Sequence, residues 1–327
     1  MKGNHFRELF HRYEKNPILT IDDWPYPTNG VFNAGATLLP SGETLLLARV
    51  EDRRGISHLT AARSADGVAN WEIEPKPTLA PDAQNHPEEI WGIEDPRITW
   101  VEELGRYAIV YASFSTGGPL VSLALTCDFC EFERKGAIMP PDNKDAALFP
   151  RRFGGRWALL HRPIANYPSK RGNIWISFSP DLKHWGDHCV LIEARHGAWW
   201  DANKIGLAPP PIETAEGWLI IYHGVRMTDA GCLYRLGLAL LDLEDPSKVI
   251  RRSDESVFGA SAPYERVGDV GNVVFPCGVI QDPTNGNIRL YYGAADTSIA
   301  LATANLEDLL DWLKSSESRR PTEDEIS

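Results

Sequence analysis

The sequence predicts an all-β fold, a five-bladed β-propeller with a C-terminal helix. Three observations predict it. First, from Val31 onward the chain reads as short strands punctuated by Gly and Pro. Second, one phrase recurs: an apolar strand, a small polar residue, then Asp or Asn, often followed by an aromatic. It stands at Ser64-Ala65-Asp66 with Trp71, Thr126-Cys127-Asp128 with Phe132, and Ser179-Pro180-Asp181 with Trp185. Weaker copies end in Asp242 and Asn305, and the steps between the five acidic or amide positions are 62, 53, 61 and 63 residues. Third, two strands joined by a glycine-containing turn precede each phrase. Three or four antiparallel strands in each of five units is a propeller pattern, and a β-sandwich would not produce the period.

The elements follow in order. Residues 1–30 are an irregular lead-in, with a short helix expected at His5–Tyr13 before Pro25, Pro27 and Gly30 break any regular element. The hairpin turns fall at Ser41-Gly42, Leu104-Gly105, Gly154-Gly155, Glu216-Gly217 and Asn285-Gly286. The final helix is expected over residues 305–316. Asn305 suits its N-cap, acidic residues fill the first turn, and Leu306, Leu309, Leu310 and Leu313 recur at helical spacing. Its expected role is to pack on the propeller. Residues 318–327 read as a disordered tail, and residues 1–327 as a single catalytic domain.

Composition narrows the function. A net charge of −12 and a pI near 5.3 argue against a general nucleic-acid or acidic-membrane binder, but do not exclude a local basic pocket. Cys127 and Cys130 form a lone C-x-x-C, and Cys189, Cys232 and Cys277 supply no matching second pair for a zinc site, so reduced thiols and no metal are expected. The charged amino-terminal stretch lacks the apolar core of a secretory signal, and no run approaches the roughly 20 apolar residues of a membrane helix. A cytoplasmic setting is the expectation.

In a propeller the innermost strands open and close around a central channel. The openings here read Asn33, Glu94-Asp95-Pro96-Arg97, Arg151, Lys204 and Cys277. The second strands close on Arg49 with Glu51 and Asp52, Ser113, Arg162, His223 and Asp296. Charge beside apolar strand is poor core material, because an unpaired buried charge is costly. Arg151, Arg162, Lys204 and His223 fall in consecutive units three and four, which predicts a basic wall suited to phosphate or carboxylate oxygens, with Asp296 orienting one of the cations. Units one and two hold Asn33, Arg49, Asp52, Glu94 and Asp95, groups suited to sugar hydroxyls. Strand alternation turns Glu94 away from Asp95. Glycoside cleavage needs a proton donor and a nucleophile, and a cationic attacking side favours a phosphate anion over a base-activated water.

With these motifs in view, the chain resembles glycoside hydrolase family 130, the β-mannoside phosphorylases. The resemblance covers about residues 15–315 and rests on Phe32-Asn33-Ala34-Gly35, Ile93-Glu94-Asp95-Pro96-Arg97, Leu148-Phe149-Pro150-Arg151, His161-Arg162-Pro163, Lys204-Ile205-Gly206, Ile221-Tyr222-His223-Gly224, Val274-Phe275-Pro276-Cys277 and Tyr291-Tyr292-Gly293-Ala294-Ala295-Asp296-Thr297. It implies a five-bladed propeller that cleaves a β-mannoside with inorganic phosphate as co-substrate, without a cofactor, to give α-mannose 1-phosphate. It implies Asp95 as catalytic acid, passing its proton through a mannose hydroxyl. Arg151, Arg162, Lys204, His223 and Asp296 match phosphate positions. Asn33, Arg49 and Asp52 match the mannose side, where Glu94 and Arg97 are also counted. The Glu94-Asp95 and Asn33-Ala34 pairs look closer to members acting on β-1,2 than on β-1,4 links.

The acceptor side is expected on loops such as Trp199-Trp200-Asp201 and Tyr264-Glu265-Arg266. The expected partners are a β-mannoside disaccharide or oligosaccharide and phosphate, with no nucleic acid or membrane, and with a homo-oligomer left open. Two other readings are a water-using inverting mannosidase, with Glu94 or Asp269 as base, and a non-catalytic sugar-binding propeller, since the Ser64-x-Asp66 phrase resembles the Asp-box of sialidases and lectins.

Overall fold

The computed structural model describes residues 7–164, 171–229, 231–282 and 285–315. Five antiparallel sheets are arranged as propeller blades. Blade 1 comprises Gly30–Leu38, Thr44–Glu51, Ser57–Ser64 and Glu72–Ile73. Blade 2 comprises Ile93–Val101, Arg106–Ser115, Gly118–Thr126 and Glu133–Met139. Blade 3 comprises Asn143–Leu148, Trp157–Pro163, Ile174–Ser179 and Gly186–Ile192. Blade 4 is built on Lys204–Leu207, Gly217–Thr228, Gly231–Leu241 and Val249–Arg252, with Ile212–Thr214 and Phe258–Gly259 added at its sides. Blade 5 comprises Val274–Gln281, Asn287–Ala294, Ser298–Asn305 and, as its outermost strand, His11–Arg12.

The outer strand of blade 5 corrects an expectation. Within the described part of His5–Tyr13 there is no helix. His11 and Arg12 instead pair with Thr303 and Ala302, so the start of the chain completes the last blade. Arg12 locks the join: its guanidinium donates to Glu265 at 2.7 Å and to the Gly259 carbonyl at 2.6 Å, and it lies over the Phe258 ring.

The recurring phrase has one structural meaning in all five blades. At the end of the third strand, a side-chain oxygen of Asp66, Asp128, Asp181, Asp242 or Asn305 accepts hydrogen bonds from the backbone N–H groups two and three residues on, at 2.8–3.2 Å. The side chain satisfies donors that the ending strand leaves open. The same bond pattern that turns the chain in four blades caps the helix Leu306–Ser315 in the fifth. The four leucines of that helix bury against blades 4 and 5.

First strands meet around the axis, and most share one irregularity. In blades 1, 2 and 3 the ladder slips by one residue between Phe32 and Gly35, Glu94 and Arg97, and Lys144 and Ala147. The extra residue follows Asn33, Asp95 and Asp145, each at φ near +50°. That backbone region is closed to most L-residues, and Asn and Asp are among the few that tolerate it. Each bulge aims a short polar side chain at the axis. Blade 5 slips between Pro276 and Gly278, where proline forbids that φ, and blade 4 shows no slip.

Replacing Asn305 by Ala should lower stability by about 1 kcal/mol, because it removes both the strand-end turn and the helix cap. Chemical denaturation reads this directly. An unchanged midpoint would mean that the helix is held by its leucines alone.

Candidate active site

Asp95 sits at the inner end of blade 2 and is 5% exposed. Its Oδ1 accepts from Asn33 Nδ2 at 2.9 Å and from Arg49 Nη1 at 3.1 Å. Oδ2 takes no hydrogen bond from the described residues, which leaves it facing the channel. Arg49 also donates to Glu94 at 3.0 Å and, through Nε, to Ser57 Oγ at 3.0 Å. Glu94 therefore shares the Arg49 guanidinium with Asp95, contrary to the alternation expected from a regular strand, because the bulge resets the phase there. Burial raises the Asp95 pKa, but Arg49, Lys144 and Arg97 outweigh it and hold the carboxyl below its ordinary range. The ligand-free site therefore carries an ionised Asp95.

The cationic wall forms in blades 3 and 4. Arg162 Nε donates to Asp145 Oδ2 at 2.7 Å, and His223 Nε2 lies 3.4 Å from the same oxygen. Arg162 Nη1, His223 Nδ1 and Asp145 Oδ1 are buried with no hydrogen-bond partner among the described residues. Unpartnered buried polar atoms are costly, and several together on one wall are the usual state of a pocket without its ligand. Lys204 stands beside them over the Tyr234 ring, and its pKa is lowered by burial and by Arg162. Burial lowers His223 further than Asp145 raises it, so the imidazole is neutral near pH 7. Phe275 and Tyr234 pack on it. Asp145 is pushed up by burial but held well below the carboxylate range by Arg162 and His223. It is a poor base and a good anchor for the Arg162 cation and the His223 ring.

Four expected site residues stand elsewhere or act otherwise. Arg151 is not in this group. It stacks on Phe153 and Trp218 and donates to the Leu243 carbonyl and Glu244. Trp218 lies five residues along its strand from His223, about 16 Å of backbone, so Arg151 sits toward the far end of the blade from the cationic wall. Asp52 spends its carboxylate inside its own turn, on Arg54 and on the Ile56 N–H. Arg97 is 2% exposed and binds backbone, not solvent: it donates to the carbonyls of Ala208, Leu207 and Asp95 at 2.7, 2.9 and 3.1 Å. Asp296 answers to Asp95, Arg49 and Glu94 and also acts on Tyr234 of the other wall, and among the described residues it makes no hydrogen bond to Arg162, Lys204 or His223. The two loops expected on the acceptor side are also partly consumed. Asp201 is buried on Arg195, Arg252 and Tyr222, and Glu265 on Arg12 and Tyr292.

Lys144 and Asp145 are the residues that sequence reasoning missed. A signal was available. Asn33 and Asp95 precede the glycine of their hairpin turns, Gly42 and Gly105, by 9 and 10 residues. Asp145 precedes Gly154 by 9 residues, Arg151 by only 3, too few for a strand.

Asp296 carries the clearest titration. Burial first, then the charge of Asp95, raise its pKa to about 6. The native value lies above the unfolded one, so this group favours folding below about pH 4, and that contribution is lost as pH rises through 6. Asp296→Asn should therefore be more stable than the parent at pH 7 by about 1–3 kcal/mol, with the gain shrinking at lower pH. Melting the two proteins side by side from pH 4 to 8 tests this. A pH-independent difference would assign Asp296 an ordinary pKa.

Comparison with known proteins agrees with this architecture. A family model described as beta-1,4-mannooligosaccharide phosphorylase, of glycoside hydrolase family 130, matches residues 18–315. The chain is 35% identical over 314 residues to the beta-1,4-mannooligosaccharide phosphorylase of Ruminococcus albus, covering 94% of this chain and 92% of that one. It is 39% identical over 258 residues to a 1,2-beta-oligomannan phosphorylase of Thermoanaerobacter, covering 78% and 80%. The solved structure of the beta-1,2-mannobiose phosphorylase from Listeria innocua, in complex with beta-1,2-mannobiose, superposes with a TM-score of 0.83 at 31% identity, covering 93% and 99%. The chain belongs to glycoside hydrolase family 130.

Proposed function

We propose that this enzyme is a β-mannoside phosphorylase that cleaves its substrate with inversion, using inorganic phosphate, and releases α-mannose 1-phosphate and a shortened sugar. One observation carries the reading: buried, unpartnered nitrogens of Arg162 and His223, with Lys204 beside them, across the channel from Asp95. Phosphate seated there accepts from Arg162 Nη1 and Lys204, can donate its own O–H to the neutral His223 Nδ1, and needs no base to become a nucleophile. Asp95 is the proton donor. The arriving phosphate and the loss of solvent both raise its pKa, and the free Oδ2 is the atom that carries the proton. Asn33 and Arg49 fix the carboxyl through its other oxygen. Arg49, Glu94 and Asp296 line the sugar side.

Hydrolysis by the same channel would need a base opposite Asp95. The carboxylate on that wall, Asp145, is held by Arg162 and well below the usual range, which makes it a weak base. The proposed linkage is β-1,2, on the Glu94-Asp95 and Asn33-Ala34 motifs. The proposed setting is the cytoplasm, in keeping with free thiols at Cys127, Cys130 and Cys189 on the surface. None of the described helices is long and apolar enough to cross a membrane.

Asp95→Asn should lower turnover by about 10²–10⁴-fold while sugar binding persists. Arg162→Ala should raise the KM for phosphate at least tenfold more than the KM for mannoside, by loss of a charge-assisted pair, whereas Arg151→Ala should change neither ratio. Steady-state kinetics with each substrate varied separates these outcomes. Full-rate sugar release without phosphate would reject phosphorolysis. Reverse synthesis from α-mannose 1-phosphate and mannose, with the product linkage read by NMR, decides between β-1,2 and β-1,4.

A further inference from the structure

The loop leading into Asp95 exposes two apolar side chains although it is firmly anchored. Glu89 is fully buried: it accepts from the Tyr111 hydroxyl at 2.8 Å and the Asp82 N–H at 2.9 Å, and lies 3.3 Å from Arg134. Glu88 accepts from the Ala137 N–H at 3.2 Å. Between those anchors and the strand, Ile90 is 49% and Trp91 45% exposed. Trp91 does not fold inward. Its N–H donates to the Phe114 carbonyl, the Phe114 N–H donates to the Gly92 carbonyl, and the two rings lie 6.1 Å apart at 32°. Phe114 thus packs beside the indole, and nearly half of Trp91 stays exposed.

This pair stands at the channel mouth. Gly92 abuts Ser57 of blade 1 so closely that a Cβ would come within 2.8 Å of its backbone. The Ser57 hydroxyl in turn holds Arg49, which holds Asp95. Trp91 precedes Asp95 by four residues, so about 14 Å is the farthest its backbone can lie from the acid. In an inverting displacement the leaving sugar departs on the side away from the attacking anion. The anion wall is in blades 3 and 4, so the leaving chain exits past blades 1 and 2, where Trp91 stands.

We propose that Trp91, packed beside Phe114, is a stacking platform for a sugar ring of the leaving chain beyond the residue bonded to mannose. It makes the enzyme prefer oligosaccharides to disaccharides. The proposal rests on the phosphorylase reading for its orientation, and its ligand is the C–H face of a pyranose. A flat indole offers such a face apolar area without asking for a particular hydroxyl pattern. The anchored loop lowers the entropic cost of presenting it.

The test compares Trp91→Ala and Trp91→Phe with the parent on the disaccharide and trisaccharide of one linkage. The ratio of kcat/KM for trisaccharide over disaccharide should fall about tenfold in the alanine variant and recover largely with phenylalanine. An unchanged ratio would overturn the platform. Equal losses on both substrates would overturn it too, since they would mean that the change reaches Asp95 through Gly92. A sizing measurement in which Trp91→Ala breaks up an oligomer would show the indole covered by a second copy, and would also overturn it. Quenching of indole fluorescence by the trisaccharide in Asp95→Asn, lost on adding Trp91→Phe, reads the platform without turnover. Failure of the parent to cleave any mannoside would reject the phosphorylase reading while leaving that binding signal to be judged alone.

Discussion

The guanidinium of Arg97 is the constraint on which the rest of this channel depends. It belongs to blade 2, reaches carbonyls in and just after the first strand of blade 4, lies 3.8 Å from Asp145 of blade 3 and faces the Phe275 ring of blade 5. The corresponding places in blades 1, 3 and 5 are Gly35, Ala147 and Gly278. A Cβ on Gly35 would meet the Pro96 carbonyl at 2.6 Å, and one on Gly278 would meet the Ala34 carbonyl at 2.7 Å. One long cation fits the axis because the neighbouring slots are small. Its charge is matched by carbonyl dipoles and by Asp145, the condition under which a buried cation is tolerated.

Above this plug, the bulges do the sorting. Each presents a short acid or amide that a regular strand would have turned sideways. In blades 1 and 2 these groups gather around Arg49, which holds two carboxylates at once. In blade 3 the same backbone device presents Asp145, and here the acid serves the Arg162 cation and the neutral His223 ring. The channel is thereby divided into a wall whose surplus is carboxylate and a wall whose surplus is nitrogen. Each wall has polar atoms left over. The Asp95 oxygen and the Arg162 and His223 nitrogens are those leftovers, and they are the chemistry.

Much of this was legible in the sequence because it is periodic. The five Asx turns repeat at nearly constant intervals, and their register fixes blade number and strand order. Asn33, Arg49, Asp95, Arg162, Lys204 and His223 were legible because each breaks an apolar strand. Arg151 misled for the same reason: Phe149-Pro150-Arg151 looks like Phe275-Pro276-Cys277, but the second begins a strand and the first ends one. Arg97 and Asp52 show what a list of residue types leaves out. Whether a charge faces a ligand or backbone depends on partners 111 residues away in one case and two in the other. The side of the channel taken by Asp296 is fixed by its neighbours in three dimensions. The pairing of His11–Arg12 with the last blade could not be read from a two-residue strand without a hydrophobic period.

That pairing has a consequence for how the molecule is made. Residues 11 and 12 are made some 290 residues ahead of their partners, residues 302 and 303. Until that strand forms the ring is an open arc, and His11–Arg12 has no edge to join. Asp296 and Phe275 of blade 5 reach Arg49 and Arg97 only when the arc becomes a circle. Closure of the ring is thus what completes the catalytic centre.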